Sequence, residues 1–201
     1  MGEAKRRGSK EFRVSHAIES GKKRQEPIGQ IEYINRTKAM FDPLTTPSEI
    51  DAIVKDFCAS LSDHMPVMLE CQPEPWSRQQ SCDGNVFRYI ELNGGSALCG
   101  YIIWYTDRLY VEAERHMVWT DGSVLRDVSF VASGEKSILF LPDQLKFDER
   151  PGKVRHAVNA RDAEIIHMIE AHESRVQVLR ASTEESWNMM PSYEQLSRRA
   201  K

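Results

Sequence analysis

Two alternating runs joined by a tight-turn dipeptide constrain this chain more than any other feature. From Leu109 to Trp119 apolar and polar residues alternate as in a strand, Asp121-Gly122 is a two-residue turn signal, and Val124 to Phe130 alternates again. The pattern predicts an antiparallel hairpin. With Thr120 paired to Ser123 across the turn, counting back along both strands sets His116 opposite Asp127. One face then carries Glu112, Glu114, His116, Leu125, Asp127 and Ser129; the other carries Val111, Ala113, Met117, Trp119, Val124, Val128 and Phe130. The second face is core. The first faces either water or a site.

Around the hairpin the elements alternate in type. Thr46-Pro47-Ser48-Glu49 reads as a capping box, and Ile50, Ile53, Val54, Phe57 and Leu61 follow at helical spacing. Pro66 to Cys71 reads as a short strand. A second helix is expected after Ser81, with Val86, Phe87 and Ile90 on one side and Gly94-Gly95 ending it, so Cys82 falls in its first turn. Ala97 to Tyr105 and Ser137 to Pro142 read as further strands. A helix is expected from Asn159 through Arg180, its stripe formed by Ile165, Ile169, His172, Val176 and Leu179, and a short one from Ser192 with Gln195 three residues on. The fold class expected is α+β, helices packed on an antiparallel sheet. At 201 residues the chain suits one ordinary domain, placed at 31–180, between a disordered basic arm at 1–30 and a C-terminal helical extension at 181–201.

A formal charge of −3 implies no global attraction to nucleic acid or membranes. The basic residues from Lys5 to Arg24 suit an acidic partner for the arm, and they lack the interleaved aromatics of a nucleic-acid binder. The four cysteines show no C-x-x-C spacing and no secretory leader is read ahead of them, so reduced thiols and a cytoplasmic location are expected. No apolar run approaches the roughly 20 residues that span a bilayer. Cys58 and Cys99 lie within apolar runs and read as packed thiols.

Cys82 differs from them by its position. A thiolate is favoured at a helix N-terminus, an imidazole such as His116 can take the proton, and a carboxylate such as Asp127 can orient the imidazole. Gln79 and Gln80 are candidate oxyanion donors, and Trp76, Glu114 and Trp119 are candidate cleft residues. No cofactor or metal is expected for this chemistry.

A cysteine opening a helix, an exit through Gly94-Gly95, a histidine on the next long strand and an aspartate past a tight turn resemble the transglutaminase-like branch of the papain-type cysteine enzymes, over about Trp76 to Phe130. Where that family often shows His-Ala-Trp, this chain reads His116-Met117-Val118-Trp119; where it shows Asp-Pro-Thr, this chain reads Asp127-Val128-Ser129. The resemblance implies a papain/transglutaminase-like core with Cys82 as nucleophile, His116 as base and Asp127 as its orienting acid. It implies a thiol hydrolase or acyltransferase working on an amide of a protein or peptide substrate, as a peptidase, amidase or deamidase.

Two rival readings use the same residues. In one, the fold is a non-catalytic interaction module that presents the arm and the C-terminal helices to a partner. In the other, Glu112, Glu114 and His116, at alternate strand positions, ligate a divalent metal in a cupin-like barrel, with Asp127 as the further ligand. His167 and His172 are five residues apart and do not share a helix face.

Overall fold

The structure, a computed structural model, describes residues 27–176 and 182–199. The chain forms two units, residues 1–34 and 35–201. The described part of the first contains the start of helix α1 (Gln30–Phe41), and all later elements belong to the second. Most of the basic arm expected at 1–30 lies outside the described residues.

After α1 come α2 (Ala52–Leu61), β1 (Val67–Glu70), α3 (Cys82–Asn93), β2 (Ser96–Thr106), β3 (Tyr110–Thr120), β4 (Leu125–Arg126), β5 (Ser137–Pro142), β6 (Lys153–Ala157), α4 (Ala160–Glu173), α5 (Thr183–Met189) and α6 (Tyr193–Arg199). The fold is α+β. Six strands form one antiparallel sheet in the order β1-β5-β2-β3-β4, with β6 also paired to β3. Helix α2 packs Val54, Phe57 and Cys58 against Tyr101, Ile103 and Leu139 on one face. Nearby, α3 sets Val86 and Tyr89 against Met117 and Val128. On the opposite face Ile102, Trp104, Val118, Ile138 and Phe140 form a third cluster, so the sheet is buried on both sides.

Helix ends follow side-chain chemistry. The N-cap of α2 is Asp51, whose carboxylate accepts from the Val54 amide at 2.9 Å; the expected Thr46 instead spends its hydroxyl on the Ser137 carbonyl. Gly94, at φ 72°, ends α3 in a conformation that glycine adopts without a Cβ penalty. The capping box expected at Ser192 is present: Ser192 N donates to Gln195 Oε1 at 2.8 Å, and Gln195 N to Ser192 Oγ at 3.2 Å. Helix α4 is shorter than expected. It ends at Glu173, Val176 beyond it is 50% exposed, and Leu179 and Arg180 lie outside the described residues.

The hairpin register differs from the sequence expectation by two residues. Thr120 pairs with Leu125 and Trp119 with Arg126. The Asp121 carboxylate accepts the Ser123 and Val124 amides, each at 2.8 Å, and holds residues 121–124 as a longer loop than the dipeptide predicts. A one-residue slip would turn every side chain over; two leave each on its face. Pairing with β3 then stops at Arg126, and the strand expected through Phe130 does not form. Asp127 instead forms a parallel bridge with Cys71. Among the described residues no helix is long and apolar enough to cross a membrane.

Candidate active site

The site sits at a gap in the ladder along the outer edge of β3. Strand β6 pairs with β3 as far as Glu114 and β4 resumes at Trp119, so neither ladder includes His116. On the inner edge His116 faces Gly100 of β2, where a Cβ would lie 2.2 Å from the Leu141 carbonyl oxygen, and only glycine lets the backbones approach this closely.

Asp127 meets the ring of His116 at this gap, and Cys82 lies near it. His116 Nε2 lies 3.2 Å from Asp127 Oδ1, with the two residues 6% and 1% exposed. Cys82, the first residue of α3 and partly exposed, lies close enough to act on the ring electrostatically. Burial disfavours the imidazolium, but the Asp127 carboxylate and the Cys82 sulfur outweigh it, raising the His116 pKa from 6.5 to about 10. For Asp127, burial favours the neutral acid; the charge and hydrogen bond of His116, helped by the Ser129 amide and the Cys71 thiol, reverse this and lower its pKa. Burial raises the pKa of Cys58, Cys71 and Cys99, the first to about 11.

The loop ahead of Cys82 is fixed from both sides. Asn85, fully buried in the first turn of α3, accepts from the Arg78 amide at 2.6 Å and donates Nδ2 to the Arg78 carbonyl at 2.9 Å and to Ser129 Oγ at 3.2 Å. Ser77 Oγ donates to the Val128 carbonyl at 2.7 Å, tying the loop to the segment that carries Asp127. The C-terminal helices are less an extension than a brace for this loop. Gln79 N donates to Pro191 O at 3.2 Å, Tyr193 N to Ser77 O at 2.8 Å and Glu194 N to Pro75 O at 3.1 Å, while Trp187 packs on Trp76.

A cavity of about 570 Å³ opens beside the three side chains. Gln79, Gln80 and Glu114 line it, and Gln80 takes a left-handed backbone at φ 54°. Trp76 and Trp119 do not line it. Trp119 shares a face with Met117, stacks edge-on with Tyr89 and donates its indole N–H to the Gly94 carbonyl at 2.7 Å. The aromatic lining is Trp104 of β2, whose indole N–H donates to Glu114 Oε2 at 3.1 Å, together with Phe41, Phe130 and Phe147. No sequence signal separated Trp104 from the rest of an apolar strand.

The far end of the cavity is charged. Glu112 accepts from Tyr110 Oη at 2.6 Å, Lys153 Nζ at 2.7 Å and Arg155 Nε at 3.2 Å, and Lys153 also lies 3.6 Å from Glu114. These contacts occupy the carboxylates that the metal reading requires. Among the described residues no group of three or more His, Cys, Asp or Glu side chains is placed to hold a metal ion.

Comparison with protein-family models, curated proteins and solved structures finds no match to this chain. The chemistry therefore rests on the side chains themselves. A carboxylate paired with one buried imidazole, and a thiol near that ring, form an arrangement in which a thiol can lose its proton to a ring held in one orientation. Arg115, absent from the sequence candidates, stiffens the same strand: its guanidinium donates to Asp143 and to the carbonyls of Gly100, Leu145, Lys146 and Phe147. A charged residue at a core position of an alternating strand was the available signal.

Proposed function

We propose that this chain transfers acyl groups through a thioester on Cys82, hydrolysing an amide of a protein or peptide as a peptidase, amidase or deamidase. One observation carries the reading: His116, paired with the Asp127 carboxylate at 3.2 Å, lines one cavity with Cys82. His116 takes the thiol proton and the sulfur attacks the amide carbon, forming a C–S bond while the carbonyl electron pair moves to oxygen. The Cys82 amide and a side chain from Gln79 or Gln80 donate to that oxyanion. As the carbonyl re-forms, the C–N bond breaks and the imidazolium gives its proton to the leaving amine. Water, deprotonated by His116, then attacks the thioester; a C–O bond forms, the C–S bond breaks and the sulfur recovers its proton. Asp127 keeps the ring in one orientation throughout.

The order of the three residues along the chain is the one that resembles the transglutaminase-like enzymes, and we place the activity near theirs on that likeness. The four cysteines are free thiols, which suits a reducing, cytoplasmic setting. Incubation of the full chain with p-nitrophenyl acetate, acid quench and peptide mapping is the test. A single acetyl group on the peptide bearing Cys82, formed with a burst of nitrophenolate, is expected. Acetyl spread over lysines, or shared equally with Cys58, Cys71 and Cys99, would contradict the reading.

A further inference from the structure

Asp127 is held from a second direction that the proposed reaction does not use. Cys71, directly after β1, forms the isolated parallel bridge with Asp127, and Gln72 N donates to the Asp127 carbonyl at 2.8 Å. Cys71 N in turn donates to the Lys136 carbonyl at 2.8 Å, which anchors this segment beside the start of β5. Of the two carboxylate oxygens, Oδ1 receives His116 Nε2 at 3.2 Å and the Ser129 amide at 2.9 Å. Oδ2 is buried and has no hydrogen-bond partner among the described residues. A buried carboxylate oxygen in that state is unfavourable, and the residue that the bridge sets beside Asp127 is Cys71, whose thiol helps to lower the carboxyl pKa.

We propose that Cys71 is the positioning residue for Asp127: its backbone fixes the Asp127 main chain, and its S–H faces the carboxylate so that Oδ1 is turned to the His116 ring. The role rests on reading Cys82, His116 and Asp127 as one nucleophile system. A thiol suits it because S–H is a weak donor. It steadies the carboxylate without drawing off the charge that holds the imidazolium, as a hydroxyl would. Burial, then the neighbouring Asp127 charge, push the Cys71 thiol up to about 12, so it remains a protonated donor at neutral pH. The groups that bear on the pair are Cys82 from α3, His116 from β3, the Ser129 amide, Cys71 and, acting on Cys71, Glu135 from the loop before β5.

The test is an NMR titration of the His116 ring in the full chain carrying Cys82→Ala, so that the sulfur of Cys82 plays no part, with the signal assigned by loss in His116→Gln. Cys71→Ser supplies a stronger donor, weakens the pull of Asp127 on the ring and should lower the midpoint by about half a pH unit; Cys71→Ala removes the donor and should raise it by about as much. Opposite signs support the role, because packing damage alone would not change sign with donor strength. Coinciding midpoints, or shifts of one sign in both variants, overturn it. Cys71→Thr replaces the serine variant if that chain does not fold. The titration needs no turnover, so a flat Cys71 series with an acylated Cys82 removes only this role. Normal Cys71 shifts with no acylation remove only the proposed reaction.

Discussion

Cys82→Ala is expected to abolish amide turnover, a fall of about 10⁴-fold or more, because it removes the thiol on which the proposed thioester forms. The same substitution should shift the thermal midpoint by no more than a few degrees. Cys82 is partly exposed and packs at the margin of the cluster built on Val86, Tyr89, Met117 and Val128, so truncation removes little buried area. Alanine is also the best helix former, and Ser81 contributes no side-chain cap that the change would disturb. Turnover and calorimetry on the same preparation check the pair of statements. A variant that unfolds would assign Cys82 to packing, and one that still turns over would remove it as nucleophile.

Arg115→Ala is expected to destabilise the fold by about 3–5 kcal/mol, the range for breaking a buried ion pair by removing one partner. Arg115 and Asp143 have side chains 2% exposed each, so the surviving carboxylate is left charged and unpaired. Four carbonyls, those of Gly100, Leu145, Lys146 and Phe147, lose a donor at the same time. The guanidinium also lies over the Tyr101 ring at 5.0 Å, and this contact goes with it. Since whole domains are stable by only about 5–15 kcal/mol, the variant should lose much of its urea resistance. A loss below about 1 kcal/mol would show that the cluster is relaxed or wet in solution. The site would feel the change too, because Arg115 adjoins His116 and holds the segment bearing Phe147, which lines the cavity.

How far the sequence reached depended on whether a signal was local. The strand at Ser137–Pro142, the box at Ser192 and Gln195, and the opening of α3 at Cys82 are set by neighbouring residues and were legible. The hairpin was legible by face and misread by register, since the Asp121 carboxylate captures amides in a way that a turn dipeptide does not announce. His116 and Asp127 nevertheless met, because a two-residue shift preserves facing and the chain after Arg126 leaves the ladder at the right place. Helix α1 and strand β6 lack a clean period and went unread. Trp119 was placed in the cleft on residue type alone, although its own alternation puts it with Met117 against α3. Cys71, Asn85 and the brace from Pro191 to Glu194 act across long separations in the chain, and no periodicity encodes such pairings.

Competitive alkylation of the native chain by iodoacetamide near neutral pH, with the modified peptides counted by mass spectrometry, tests the action of the His116 imidazole on Cys82 most directly. Cys82 should react at least about tenfold faster than Cys58, Cys71 or Cys99, and His116→Ala should erase that preference. Equal labelling of the accessible thiols, or a preference for Cys82 that survives His116→Ala, would contradict it.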